Sequence, residues 1–579
     1  MARARARAGD PRPASAPPRR SHARPPGPAG LPQLVLVATV AAACVLVGVT
    51  FRLYDTDAWE HLAVGRAIWT LRQVPRTEIW TWPDFGQPNV NPSWGFSALV
   101  WPFWAAGGVM GLYLWRWITT LLVAALLWAT ARRLGARGLA ALPVLVVCLL
   151  VYRQRVQIRP ETLAGLWFAL SAWILTQRRH GGPDRAGWLV PVTWAWVNSH
   201  VSYELAFVLL GIHLVAAARE GRADPSPRRL VLATAASAAV AFANPFGWHA
   251  LARPFEFLFA WRHEALFRSI QELGPPVWSQ NLANGLPLLL VAWPLFALWR
   301  TARGRGDTVE WLTLLVFTPL ALSSSRFVAT YVLAAGPFLA RAVAEWLDAH
   351  PWPLASLPPW PRAAIAATLC LAMCLYDWTH EVGPLGFGFD MSRAPVAACD
   401  YIEANGVRGR GINHFQSGGY QLWRFWPARD RLPFMDIHPE DAPAGTRELY
   451  YRALTEPAGW RAIDDRFHFD YGLFSRRYAD RPGLLDLLDA DPGWTLVFVD
   501  DAAALYVRKD GPMRALAARD GYQTLGGSRA GIADRLRQAA IDPGYRAIMR
   551  RELERQAASS PVNFYGRAMG RELERLDGR

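Results

Sequence analysis

Charge is scarce in this chain of 579 residues: 19% are charged, against 52% hydrophobic and 12% aromatic. A soluble enzyme of this size carries about a quarter charged residues, so a soluble globular protein is excluded. Lysine is almost missing, and Lys509 is the single one among 62 basic residues. The net charge of +15 is therefore arginine charge. It accompanies an Ala, Gly and Pro richness that reads as compositional bias. Much of it falls in the N-terminal tail and in short loops, so it gives no indication of nucleic-acid binding. Cysteine is sparse as well. Cys44, Cys148, Cys370, Cys374 and Cys399 have no metal-ligand spacing and supply no disulfide framework. In apolar helices such residues act as small hydrophobes. No Gly-rich phosphate loop is present.

What the chain has in abundance is apolar runs long enough to cross a bilayer, which takes about 20 residues as helix. The fold class is an all-α polytopic membrane bundle. Residues 1–30 form a basic tail expected to be disordered and cytoplasmic. The run after it is too long for a signal-peptide core and shows no cleavage site, so it is expected to stay as the first span. Arginine clusters at Arg132–Arg137, Arg178–Arg185, Arg219–Arg229 and Arg300–Arg305 alternate with pairs of apolar segments, the pattern of hairpins whose basic turns stay in the cytoplasm. Threading them gives about eleven transmembrane helices, beginning near Leu31, Val109, Leu139, Leu163, Gly187, Tyr203, Leu230, Leu286, Val309, Phe327 and Ala363. Phe96–Gly108 forms a separate re-entrant or interfacial piece. The expected domains are a membrane domain over 31–377 with a first outer loop at 52–95, an extracytoplasmic α/β domain over 378–525, and a helical tail over 526–579. The bundle's core is expected to be internal to the membrane part, so that truncation after Trp378 leaves it folded.

An odd number of spans places the C-terminal region, from about Trp378, on the non-cytoplasmic side, and the polar clusters fall on that side too. Asp55-Thr-Asp57, with Glu60 and His61, follows the first span directly. Acidic groups at such a boundary are costly unless they face water, a metal or a substrate. A carboxylate there serves as base toward an acceptor hydroxyl or holds a metal that polarises it. A plainer reading makes Asp57 the N-cap of a helix over Asp57–Thr70 lying on the membrane surface. Arg153, Arg155 and Arg159, followed by Glu161, lie at an outer boundary where positive-inside placement does not explain them, as does Arg326. Guanidinium groups bind phosphate bidentately; snorkelling toward headgroups is the alternative. Asn198 and His200 end the segment Trp194–His200. No dedicated structural metal is expected; a weakly held divalent cation (Mg or Mn) at Asp55 and Asp57 is allowed by the pattern. Gly418-Gly419 suggests a tight turn with positive φ. In the C-terminal region, Val396–Asn405 has helical spacing, Trp494–Asp500 and Ala504–Val507 read as strands, and helical periodicity returns over Ala530–Leu576.

These residues, in this order, resemble the polytopic GT-C glycosyltransferases, including the protein mannosyltransferase and aminoarabinose transferase relatives, and more closely an uncharacterised bacterial branch. The stretches that carry the resemblance are Asp55–Arg66, Val74–Thr77, Asn91–Trp94, Arg159–Glu161, Trp196–His200, Asn244–Gly247 and Phe415–Tyr420. The resemblance implies transfer of a sugar from a polyprenyl-phosphate donor to a hydroxyl of a lipid, glycan or protein acceptor, at the outer face of the cytoplasmic membrane. It makes Asp55 the base, with Asp57 in support or holding a metal and His61 completing the catalytic set. It gives Arg153, Arg155, Arg159 and Arg326 the lipid phosphate; Glu60, Glu161, Asn198 and His200 join them as substrate-binding candidates. It implies no nucleotide-sugar site. The chain departs from its relatives at Asn91-Pro-Ser-Trp94, where they often carry His or Glu-Trp.

Two other classes compete. A transporter predicts ionisable residues at mid-bilayer and an internal repeat of broken helices, whereas the charges here gather at one boundary. A non-catalytic scaffold of envelope polysaccharide assembly fits the sizeable C-terminal region.

Overall fold

In the computed structural model, residues 30–220, 227–282, 284–350, 357–380, 385–477 and 483–577 are described. The basic tail before Gly30 lies outside them. Helices occur at each of the eleven positions that hydropathy marks. Among the described residues, Leu31–Gly48, Trp94–Leu134, Val201–Glu220 and Arg326–Ala349 are long and apolar enough to cross a membrane. Others fall short of that length. Leu189–Val197 has nine residues, about 13 Å of helix, far less than a hydrocarbon core of about 30 Å. Lipid-facing character is plain on Leu286–Ala302, where Leu288, Val291, Leu295 and Leu298 are all exposed.

Helix α1 (Leu31–Gly48) packs along the helix Pro359–His380. The chain then passes through Phe51 and Leu53, which form isolated bridges with Leu385 and Phe389. Buried Arg116 donates to the carbonyls of Val49 and Phe51, 3.0 Å each, and Tyr113 donates to Phe51 O at 2.9 Å. These bonds pin the segment that leads into Asp55. Helix α2 (Asp57–Leu71) follows, then α3 (Trp94–Leu134). Gly108 breaks α3 with φ +53°, and the two halves fold back so closely that a Cβ on Gly111 would lie 1.8 Å from Phe103 O. The piece before Gly108 is thus distinct from the run that starts at Val109. Helices α4 (Ala141–Tyr152) and α5 (Glu161–Arg179) complete the side of the bundle nearest the first loop.

Two expectations about α2 need correction. It is no surface helix: Ala58 to Gly65 are all buried, between α3 and the helix Phe415–Phe425. Its first free N–H is satisfied by Asp55, whose Oδ1 accepts from Asp57 N at 3.0 Å, while Asp57 is already helical. Close packing needs Gly65, because an added Cβ would meet Ser97 O at 2.3 Å and Trp101 Cβ at 2.8 Å. Gly65→Ala should therefore destabilise the protein by about 1–3 kcal/mol, read as a lower melting temperature in nanodiscs. Gly211→Ala, with open space around the new methyl, should not; equal melting of the two variants would refute the packing.

The C-terminal region holds a four-stranded sheet in the order β1-β2-β4-β3, with β1 Gly411–Asn413, β2 Tyr471–Ser475, β3 Trp494–Val499 and β4 Ala503–Arg508. β1 runs parallel to β2; the β2/β4 and β3/β4 pairs are antiparallel. Helices Ile532–Ile541, Pro543–Ser559 and Phe564–Asp577 pack on one another through Met549, Leu553, Met569 and Leu573. One hydrophobic core runs from Trp59, Leu62, Phe96 and Tyr113 through Ile402, Tyr471, Leu505 and Val507. The outer end of the bundle therefore shares its core with the C-terminal region. The expectation that the bundle is self-contained fails here, since truncation after Trp378 would expose that shared surface.

Candidate active site

The site is built where α2 begins and α5 is about to begin. Arg159 reaches across to Asp55: its Nη2 donates to Asp55 Oδ1 at 2.9 Å, and its Nε lies against Asp55 Oδ2. The same Nη2 is 2.8 Å from Asp57 Oδ2. Its remaining arm, Nη1, donates to Glu272 Oε2 at 2.9 Å. One guanidinium thus joins three carboxylates from two separate parts of the chain. Glu272 in turn collects two more arginines: Arg155 Nη1 at 2.8 Å and Arg326 Nη2 at 2.8 Å. The loop bearing Glu272 is further tied down by Ser325 N, which donates to Gly274 O at 2.8 Å.

The electrostatics follow from this crowding. Burial pushes the Asp57 carboxyl well above the usual range; Arg159 opposes the shift, and Asp55 and Glu272 add to it. Burial would raise Glu272 too, but Arg159, Arg326 and Arg155 overturn this and hold it well below the ordinary carboxylate range. A depressed carboxylate contributes stability that is fully present above its unfolded value, about 4.3, and is lost only as pH falls through the lower folded value. Wild type should therefore out-melt Glu272→Gln by the same margin at about pH 7 and about pH 5. A margin that closes between those two points would contradict the arginine cage.

Of the residues marked in the sequence, the structure brings together Asp55, Asp57, Arg155, Arg159 and Arg326. Glu161 is the first residue of α5 and lies in the electrostatic reach of Arg159, Arg155, Arg326 and His200. His200 uses Nδ1 locally, accepting from Ser202 N at 3.0 Å. Arg153 is buried, with its guanidinium 5.3 Å from the Phe51 ring. Asn198 is a joint between loops: its Oδ1 accepts from Trp94 Nε1 at 3.1 Å and its Nδ2 donates to Trp194 O and Ala243 O. His61 is 3% exposed, with Nδ1 3.2 Å from Ser97 Oγ, and burial lowers its pKa well below the ordinary imidazole value. It faces Phe96 and His438, and does not touch the arginine cluster. Glu60 also turns away from that cluster. Its Oε2 accepts from Ile437 N at 3.0 Å and its Oε1 pairs with His438 Nδ1.

Three partners escaped the sequence reading. Glu272 was given no role, since nothing local links it to arginines more than a hundred residues upstream. Asp436 and His438 were missed altogether. The signal available was Asp436-Ile-His438, two ligand-bearing residues at i and i+2 between Pro433 and Pro439. The Gly418-Gly419 pair is also not the expected turn. It lies inside the helix Phe415–Phe425, and a Cβ on Gly418 would meet Met435 O at 2.4 Å and Asp436 Cα at 2.7 Å. The glycines let that helix wedge between α2 and the Asp436 segment. As for a metal at Asp55 and Asp57, both carboxylates meet a guanidinium. Among the described residues, the three ligand-bearing side chains that converge are Glu60, Asp436 and His438, with atoms within 4.8 Å of one another.

No protein-family model matches the chain, and no curated protein matches it. Solved structures do. The Archaeoglobus fulgidus oligosaccharyltransferase in its apo form aligns over 76% of this chain and 70% of its own, at 11% identity and TM-score 0.55. The Archaeoglobus fulgidus oligosaccharyltransferase AglB, in complex with an inhibitory peptide and a dolichol-phosphate, aligns over 83% and 75%, at 11% identity and TM-score 0.52. ArnT from Cupriavidus metallidurans in the apo state covers 82% of this chain and 97% of its own, at 14% identity and TM-score 0.46. At such identities the shared property is the fold. The chain has the fold of a GT-C-type membrane glycosyltransferase, as the sequence resemblance implied.

Proposed function

We propose that the protein is an integral membrane glycosyltransferase. It moves a sugar from a polyprenyl-phosphate donor to an acceptor hydroxyl at the outer face of the cytoplasmic membrane, with its N-terminus inside and its C-terminal region outside. The observation that carries this reading is the pair Asp55 and Asp57, held just beyond the first apolar helix on an arginine that also serves Glu272. Asp55 is the base. The acceptor oxygen attacks the anomeric carbon as its proton passes to the Asp55 carboxylate. The bond from that carbon to the phosphate oxygen breaks, and polyprenyl phosphate leaves with the electron pair. Attack from the face opposite the leaving group inverts the anomeric centre.

The arginines supply the rest. Arg159 now occupies both oxygens of Asp55, so Asp55 must be released from it as the donor arrives. The donor phosphate carries the charge that Glu272 now offers to Arg155, Arg159 and Arg326, and guanidinium prefers such bidentate oxyanions. When phosphate takes Glu272's place, Arg159 turns toward it, and Asp55 is freed to meet the acceptor hydroxyl. Glu272 is then a competitor for the donor site. Glu272→Gln should lower the donor KM about tenfold, the equivalent of roughly 1.4 kcal/mol of relieved competition. A raised KM would mean that Glu272 positions the arginines.

Native mass spectrometry with polyprenyl phosphate tests the phosphate assignment directly. Wild type should retain the lipid, and the double variant Arg155→Ala/Arg326→Ala should lose it while staying folded. Equal retention by both would contradict the assignment.

A further inference from the structure

We propose that Glu60, Asp436 and His438 form a divalent-cation site that clamps the C-terminal α/β region onto α2, one helical turn past Asp57. The site takes a first-row transition-metal ion of the Mn²⁺ or Zn²⁺ kind. It stands independently of the glycosyl-transfer reading, and would hold if the protein moved no sugar at all.

The ligand atoms come from two distant segments and lie within 4.8 Å of one another. Glu60 and Asp436 are 2% and 4% exposed. Asp436 Oδ1 accepts from His438 N at 2.9 Å. A buried carboxylate so placed is costly unless paired or bound to a metal. The surroundings deepen the excess of negative charge. Glu78 is buried nearby, and Asp441 is bound to Arg253 at 2.7 Å, which leaves His438 as the partner of Glu60. The contact of Glu60 Oε1 with His438 Nδ1 is the metal-free arrangement. On binding, the cation takes the place of the hydrogen between these two atoms, and that proton leaves to solvent.

The donors are also preorganised. Asn413 Nδ2 donates to Met435 O and its Oδ1 accepts from Phe434 N, each at 2.7 Å, fixing the backbone just before Asp436. Gly418 lets the helix Phe415–Phe425 press against Asp436 from the other side. The His438 side chain is 26% exposed, so one side of the site stays open, as three protein ligands require if water or substrate is to complete the shell. Two carboxylates with an imidazole suit Mn²⁺ or Zn²⁺; Mg²⁺ and Ca²⁺ prefer all-oxygen shells.

The test uses the full-length protein in nanodiscs, stripped with chelator and titrated with Mn²⁺, the free ion being read by electron paramagnetic resonance. Wild type should take up one Mn²⁺, and its bound spectrum should carry the ¹⁴N coupling of an imidazole. That coupling should vanish in His438→Gln. Glu60→Gln and Asp436→Asn should weaken uptake by at least about tenfold, while Asp55→Asn leaves it unchanged. Zn²⁺ should displace the Mn²⁺. The ¹⁴N signal needs wild type alone, so a variant that fails to fold does not blunt the test. The proposal is overturned if wild type takes up no Mn²⁺, if the bound ion lacks nitrogen coupling, or if uptake is lost with Asp55→Asn and kept with Asp436→Asn.

Discussion

Replacing Asp55 by Asn removes donor turnover by a factor of about 10²–10⁴, the usual worth of a positioned general base, and leaves the fold in place. The amide oxygen can still accept from Asp57 N, which now bonds to Asp55 Oδ1 at 3.0 Å, so α2 keeps its start. The amide cannot take the acceptor's proton. Comparing initial rates of polyprenyl phosphate release by wild type and variant, with matched melting curves, measures the loss. Asp57→Asn is the informative companion. Asp57 has the supporting role in this reading, so its loss should cost less. Turnover that survives Asp55→Asn and dies with Asp57→Asn would exchange the two roles.

The second large effect is on stability. Arg159→Ala should destabilise the folded protein by about 3–5 kcal/mol, the cost of breaking a buried ion pair from one side. Its side chain is 20% exposed, and its guanidinium serves Asp55, Asp57 and Glu272 together. Without it, three carboxylates face one another with only Arg155 and Arg326 left on Glu272. Arg159→Lys should recover part of the loss, because one ammonium can hold one or two of the carboxylates but not all three. Thermal unfolding in nanodiscs reads both. An alanine variant as stable as wild type would show that the first outer loop is held by its packing alone.

The sequence spoke most clearly where one physical signal acts locally. Hydropathy located the helices, because burial in lipid demands long apolar runs wherever the chain crosses. Asp55, Asp57, Arg155, Arg159 and Arg326 could be singled out because charge at a membrane boundary is costly enough to need a reason. The strands Trp494–Val499 and Ala503–Arg508 announced themselves by β-rich apolar runs around a turn. The misreadings share a cause: they depend on partners far away in the chain. Helix α2 reads as a surface element because its sequence cannot show that a helix more than three hundred residues later packs on it. Gly418-Gly419 reads as a turn because glycine's usual reason is backbone freedom; here the reason is the closeness of Met435 and Asp436. Asn198 and His200 carry site-like chemistry, yet their hydrogen bonds are spent on holding loops. Glu60 and His61 point to the Asp436 segment, a direction that helical spacing from Asp57 leaves open.

The measurement closest to the central claim is donor turnover by the wild-type protein in lipid nanodiscs, supplied with a panel of polyprenyl-phosphate sugars and soluble acceptors. Release of polyprenyl phosphate, with the sugar recovered in inverted linkage on an acceptor hydroxyl and the activity lost in Asp55→Asn, is the predicted result. No release from any donor, by protein that binds polyprenyl phosphate and melts as a folded species, would contradict it and leave a non-catalytic envelope protein built on a glycosyltransferase fold.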